Sequence, residues 1–234
     1  MRKSKKVIAF LMAALMCAGL LAGTGAFAAL DYYQNWTSDN GNGSSSGTST
    51  GSNGTVTFSC NLSTGNFSVT WRTTRQNFNN LQGVGWNTGK ASRKIGYNLG
   101  VFSVTSGSTG CAYAGVYGWT RSDLIEYYVI DNWVNYRPTG GTRLGSVSSD
   151  GGTYDIYKES HNGPNINGSG PFTQVRSVRT SQRATRSNNT VTFQNHANAW
   201  NSAGARLGSS WSYQTYIVEG YNSAGSGNAT VWES

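Results

Sequence analysis

Apolar and polar residues alternate with a period of two along most of the chain. Thr55-Val56-Thr57-Phe58, Asn66-Phe67-Ser68-Val69-Thr70-Trp71 and Thr190-Val191-Thr192-Phe193 show the pattern, as do Gly152-Thr153-Tyr154-Asp155-Ile156-Tyr157 and Ala229-Thr230-Val231-Trp232. Such runs are strands with one face on a core and one on solvent, and clusters of Gly, Asn and Ser separate them. They predict an all-β fold, an antiparallel sandwich of short strands. One segment departs from the period. Between Asn195 and Leu207, the apolar residues Ala197, Trp200, Ala203 and Leu207 recur at helical spacing. Asn195 is placed to cap that helix and Gly208 to follow its last turn, so one α-helix over about 195–207 is expected against the outside of a sheet. The Gly/Ser/Thr-rich tract 39–54 reads as a long surface loop. No internal repeat is present, and 29–234 is expected to form a single domain.

Residues 1–28 are organised differently. Arg2, Lys3, Lys5 and Lys6 precede an apolar run from Val7 to about Leu21, and Ala26-Phe27-Ala28 is an A-x-A cleavage site. This is the pattern of a secretory signal peptide. The apolar run is short for a membrane span and ends in Gly and Thr. The expectation is a secreted, extracellular protein without a membrane anchor. Of the 18 Lys and Arg, four leave with that segment; the remaining 14 against ten Asp and Glu reduce the formal +8 to a net +4. These charges are scattered, which argues against nucleic acid as a partner.

Two cysteines lie beyond the signal, Cys60 and Cys111. An oxidising compartment permits a disulfide between them, and the sequence leaves open whether they are bridged or free. The two histidines, His161 and His196, have no ligand-spaced partners. Neither a metal nor another cofactor is expected.

The four glutamates separate by context. Glu233 ends the last apparent strand and Glu159 follows Lys158 at a strand end, both bland surface settings. Glu126 stands within Leu124-Ile125-Glu126-Tyr127-Tyr128-Val129-Ile130, and Glu219 within Tyr213-Gln214-Thr215-Tyr216-Ile217-Val218-Glu219-Gly220-Tyr221. Strand parity puts Glu126 on the face of Leu124, Tyr128 and Ile130, and Glu219 on that of Tyr213, Ile217 and Tyr221. Carboxylates among such neighbours are costly to desolvate unless tyrosine hydroxyls or similar donors bond them. If both enter one groove, mutual repulsion and burial separate their pKa values into an acid and a nucleophile. The alternative, that each Glu faces solvent, stays open on these grounds. Abundant Tyr and Trp suit sugar stacking and suit an ordinary core equally.

The segment from Tyr117-Gly118-Trp119-Thr120-Arg121-Ser122 through Leu124-Ile125-Glu126-Tyr127-Tyr128 to Asn132-Trp133 resembles the nucleophile strand of family 11 xylanases. Val218-Glu219-Gly220-Tyr221-Asn222-Ser223-Ala224-Gly225 resembles their acid/base segment. Asp31-Tyr32-Tyr33-Gln34-Asn35-Trp36, Tyr136-Arg137-Pro138-Thr139-Gly140, the run 149–157 and Asn195-His196-Ala197-Asn198-Ala199-Trp200 match in order, so the resemblance spans essentially 29–234. It implies a β-jelly roll of two twisted antiparallel sheets with one helix. It also implies a groove for xylan and xylo-oligosaccharides, and internal retaining cleavage with Glu126 as nucleophile and Glu219 as general acid/base. Trp36, Tyr117, Tyr128, Arg137, Gln174 and Tyr213 would contact substrate. Pro164, within Pro164-Asn165-Ile166-Asn167-Gly168, would sit on a thumb loop over it. A monomer is expected.

The chain departs from the family pattern in places. Ser160 stands where the thumb usually has Arg, Val175-Arg176 follows Gln174 where Tyr-Trp is usual, and Asp123 replaces a frequent Pro. The loop between Trp71 and Trp86 is long, and Asn77 is the candidate there for the residue that contacts the acid/base and sets its pH range. Two other readings compete: a β-1,4-glucanase of the related jelly-roll clan, and a non-catalytic carbohydrate-binding sandwich.

Overall fold

The computed structural model describes residues 29–234, so the segment read as a signal peptide lies outside the described residues. Two stacked sheets make up the fold. The larger has nine strands in the order β10 (Thr142–Ser149), β11 (Gly152–Asn165), β12 (Gly168–Arg179), β9 (Ile125–Val134), β8 (Cys111–Thr120), β14 (Trp211–Tyr221), β6 (Asn79–Trp86), β1 (Tyr32–Thr37) and β2 (Gly41–Asn42). The smaller has six: β13 (Asn188–Thr192), β7 (Lys94–Val104), β15 (Ala224–Glu233), β5 (Asn66–Thr73), β4 (Gly54–Asn61) and β3 (Ser46–Thr50). Ladders are antiparallel except that between β12 and β9, which is parallel.

β5 alternates buried and exposed residues through Phe67, Val69 and Trp71, as a strand with one wet face should. β6, β8 and β9 are buried on nearly every residue instead. Their two faces serve two clusters. Val84, Val116, Val129, Tyr216 and Val218 pack between the sheets with Val56, Phe58 and Trp71. Leu81, Tyr117, Trp119, Tyr128, Ile130 and Ile217 form a second cluster on the other face. Burying each large apolar side chain stabilises by about 1.5–3 kcal/mol, so both faces contribute to holding the larger sheet in shape. Gly118 permits one tight crossing: a Cβ there would lie 2.3 Å from Tyr127 Oη and 2.4 Å from the Tyr213 carbonyl oxygen.

The helix differs from expectation in its bounds. α1 runs Phe193–Ser202; Thr192 stands at its N-terminal boundary without a side-chain capping bond, its hydroxyl donating instead to Asp150 Oδ1 (2.7 Å). The left-handed residue after it is Gly204 (φ +76), not Gly208. Phe193, His196 and Trp200 form its buried face, and Trp200 Nε1 donates to Ser177 Oγ at 2.9 Å. Phe193 continues the alternation of β13, so its residue pattern extends the strand while its backbone already turns.

The tract 39–54 is more ordered than a plain loop. It contains β2 and β3, and the Asp39 carboxylate accepts from Asn53 N, Asn53 Nδ2 and Gly54 N. Cys60 and Cys111 are both free. They lie on β4 and β8, strands of different sheets, and Cys111 Sγ is instead 3.0 Å from Tyr113 Oη. Among the described residues no helix is long and apolar enough to cross a membrane.

Candidate active site

The face of the larger sheet turned away from the smaller one lines a groove of about 630 Å³. Register explains which residues reach it, since directly paired residues share a face. One row across four strands is Trp119, Glu126, Gln174 and Glu159. The next row is Tyr117, Tyr128, Arg176 and Tyr157. Glu219, on β14, pairs with Tyr113 of β8 and Leu81 of β6. Tyr113 and Tyr117 project from the same face of β8, so Glu126 and Glu219 enter one groove from either side of that strand.

Glu126 is only 7% exposed. Tyr117 Oη donates to its Oε1 at 2.8 Å, and Trp119 Nε1 donates to Tyr117 Oη at 2.7 Å, which directs the hydroxyl proton toward the carboxylate. Gln174 Nε2 donates to Oε2 at 2.6 Å, and Tyr128 Oη adds a longer contact of 3.4 Å to Oε1. Burial raises the pKa of Glu126. Gln174, then Tyr117, pull it back, with His161 and Tyr128 adding to them.

Glu219 is equally buried and has Asn79 Nδ2 at 3.0 Å from Oε1. Burial pushes its pKa up to about 7, opposed by the Asn79 bond and reinforced by the charge of Glu126. Two carboxyls sharing a groove do not both ionise readily. The one with three donors keeps the charge, and the one with fewer holds the proton. The pair therefore provides a carboxylate and a carboxylic acid together near neutral pH.

Of the residues expected at the site, Glu126, Glu219, Trp36, Tyr117, Tyr128, Pro164, Gln174 and Tyr213 all line this groove. The thumb segment is the tip of the β11–β12 hairpin, where Asn165 pairs with Gly168 and Ile166 packs toward the groove cluster. Tyr32, not singled out from the sequence, stacks on Tyr213 with ring centroids 4.7 Å apart.

Two expectations need correction, and the departure at Ser160 has a location. Arg137 does not line the groove. Its Nε donates to Arg179 O (2.9 Å), and an Nη donates to Asp155 Oδ2 and Val178 O (2.8 Å each), so it clamps β11 and β12 while its neighbour Pro138 reaches the groove. Asn77 does not contact Glu219. It occupies a left-handed turn (φ +68), and the residue two positions on, Asn79, makes the contact as β6 begins. Ser160 is exposed and pairs with Thr173, whose partner on β9 is the core-facing Ile125. It therefore points away from the groove, while its neighbour His161 lines it together with the thumb tip.

The two glutamates read as bland surface groups also have partners. Glu159 Oε2 accepts from Arg176 at 2.7 Å, and Glu233 Oε1 is 2.6 Å from Lys90 Nζ. Strand parity carried the signal for Arg176, two residues after Gln174, and for Asn79, two residues before Leu81.

Comparison with known proteins agrees with this architecture. The family model described as Glycosyl hydrolases family 11 matches residues 28–230. The chain is 44% identical over 202 residues to Endo-1,4-beta-xylanase 3 of Pyricularia oryzae, covering 86% of this chain and 75% of that protein. It is 40% identical over 202 residues to Endo-1,4-beta-xylanase 11A of Botryotinia fuckeliana, covering 86% and 78%. Among solved structures it is similar to one from a comparison of two major endo-1,4-beta-xylanases of Trichoderma reesei. That match has a TM-score of 0.71 at 38% identity and covers 87% of this chain and 99% of the other. With two sheets in jelly-roll arrangement, one helix, and paired buried glutamates on a groove, this chain belongs to family 11 of the glycosyl hydrolases.

Proposed function

We propose that this glycoside hydrolase is a secreted endo-1,4-β-xylanase that cleaves internal xylosidic bonds with retention of configuration. The observation that carries the reading is the unequal hydrogen bonding of Glu126 and Glu219 on one groove. The ionised Glu126 attacks the anomeric carbon as the glycosidic C–O bond breaks, and Glu219 delivers its proton to the leaving oxygen. Water then attacks the glycosyl-enzyme ester from the same side, its proton passing to Glu219 while Glu126 is released as carboxylate. Retention by this route requires the two carboxyls about 5–5.5 Å apart. Relatives named as endo-1,4-beta-xylanases support xylan as substrate. The basic, apolar and A-x-A organisation of residues 1–28 supports export.

Incubation with xylan and with carboxymethylcellulose, scored by reducing ends, tests substrate class. Release from xylan is expected. Release from cellulose alone overturns the xylanase reading in favour of a glucanase, and none from either favours a binding sandwich. The anomer first formed, followed by NMR, must be β for the retaining mechanism to stand.

Asn79 sets one limb of the pH profile in this mechanism. Its amide favours the ionised form of Glu219, so Asn79→Ala should raise a pKa already near 7. The general acid works protonated, so the alkaline limb of kcat/KM should move to higher pH by about half a unit to one unit. A limb that stays in place or falls would contradict the assignment.

A further inference from the structure

The residues after Gln174 depart from the family pattern, and the structure gives that departure a role. Arg176 stands one row along from the nucleophile, on the same face of β12 as Gln174. One of its Nη atoms donates to Gln174 Oε1 at 2.5 Å; the other donates to Glu159 Oε2 at 2.7 Å and to the Gly140 carbonyl at 2.6 Å. Its side chain is 12% exposed. We propose that Arg176 is a positioning residue for the nucleophile, held by Glu159 and Gly140 and acting through Gln174. The proposal rests on the reading of Glu126 as nucleophile.

The argument is one of donors and acceptors. A guanidinium can only donate, so the atom of Gln174 facing Arg176 must be the carbonyl oxygen. That fixes the amide orientation and leaves Nε2 to meet Glu126 Oε2 at 2.6 Å. Without Arg176 the amide can rotate and present its oxygen to the carboxylate, a repulsive contact. With Arg176 in place, the charge also polarises the amide, strengthening its donation to the ionised nucleophile. Charge-assisted contacts of this kind exceed neutral ones.

The same cation faces Tyr128 and acts on Glu219, where it favours ionisation. The groups around Glu126 are Tyr117 from β8, Tyr128 from β9, Gln174 and Arg176 from β12, and Glu159 with His161 from β11. Glu219 and Tyr213 complete the set from β14; all but Glu159 line the groove, and Glu159 is placed by its pairing with Gln174 and its bond to Arg176. Arg176 is the permanent cation among these eight; the other arginine lining the groove, Arg121, donates to Ser212 Oγ at 3.2 Å. Glu159 therefore has two effects: it anchors Arg176, and its negative charge partly cancels the field.

The experiment compares wild type, Arg176→Met, Arg176→Lys and Glu159→Gln on a xylo-oligosaccharide, recording kcat, KM, the pH profile of kcat/KM and the melting temperature. Arg176→Met should lower kcat about tenfold with KM nearly unchanged, and both limbs should move to higher pH by about half a unit or more, because Glu219 loses a favourable cation and Glu126 loses the fixed donation of Gln174. Arg176→Lys should return the limbs toward wild type without restoring kcat, since one ammonium replaces a planar fork poorly. Glu159→Gln keeps an acceptor for Arg176 but removes an anion, so its limbs should move to lower pH.

A folded Arg176→Met enzyme with unchanged kcat and limbs overturns the proposal, as does a loss confined to KM, which would make Arg176 a substrate contact. If Arg176→Met fails to fold, an unshifted Glu159→Gln profile overturns it on its own. Wild-type protein inactive on xylan would instead remove the functional reading beneath it.

Discussion

Glu126→Gln is expected to lose xylan hydrolysis by about 10⁴-fold or more while binding xylo-oligosaccharides nearly as wild type does. An amide has no anionic oxygen to form the glycosyl-enzyme ester, so the covalent route closes. The change is nearly isosteric, and the groove walls formed by Trp36, Tyr117, Tyr213 and the thumb are untouched. Two donors, Tyr117 Oη and Gln174 Nε2, face the site from opposite sides. An amide can accept from one of them but meets the other with its own NH2, so a modest loss of stability should accompany the loss of turnover. A second readout is independent of activity. Because the charge of Glu126 raises the pKa of Glu219, the substitution should bring Glu219 below its value of about 7, measurable by carbon-detected NMR titration. Retained turnover would show that another group is the nucleophile; an unmoved Glu219 would show that the two carboxyls do not share a field.

Glu219→Ala should separate substrates by leaving group. Xylan releases a sugar alkoxide, which must be protonated as the bond breaks, and general acid catalysis of this kind is worth roughly 10²–10⁴-fold. Aryl xylosides with acidic phenols leave without that proton, so formation of the glycosyl-enzyme from them should be almost unimpaired. The second step still needs a base to activate water, so the intermediate should accumulate and a burst of phenol should appear. Exogenous azide, which needs no deprotonation, should speed its breakdown. An equal loss on both substrate classes, without a burst, would argue against the acid/base role.

Much of this site could be read from the chain alone, because strand parity is a short-range property. Alternation alone places Glu126 with Tyr128, and Glu219 with Ile217, on shared faces, and the sheet has them there. Pairing across strands is a long-range property and was legible only through family resemblance. Asn77 and Asn79 both lie in the long segment between Trp71 and Trp86. Only the turn at Asn77 and the start of β6 decide which one meets Glu219. Arg137 misled for a different reason: its motif is at the groove, but its side chain is drawn to Asp155 and two carbonyls. The helix begins before Asn195, where the spacing predicts it, because Phe193 satisfies the strand period and the helix face at once. The Glu159–Arg176–Gln174 connection was invisible, since it depends on β11 and β12 lying side by side in a register set by the hairpin.

The place of β14 in the sheet bears on how the molecule comes to be folded. Glu219 lies on a strand inserted between β8 and β6, whose residues precede it by about a hundred positions or more. Neither ladder can close until the chain through Tyr221 is available, and closing such loops is entropically slow compared with forming a hairpin. The β11–β12 hairpin and the β8–β9 pair, which carry the surroundings of Glu126, join segments close in sequence. Joining those two units brings Gln174 to Glu126 across 48 residues, about half the span that β14 must close, so the surroundings of Glu126 assemble over the shorter loop while Glu219 arrives with the closure of the sheet. Catalytic competence is thereby tied to completion of the fold, and partly folded chains carry no working pair.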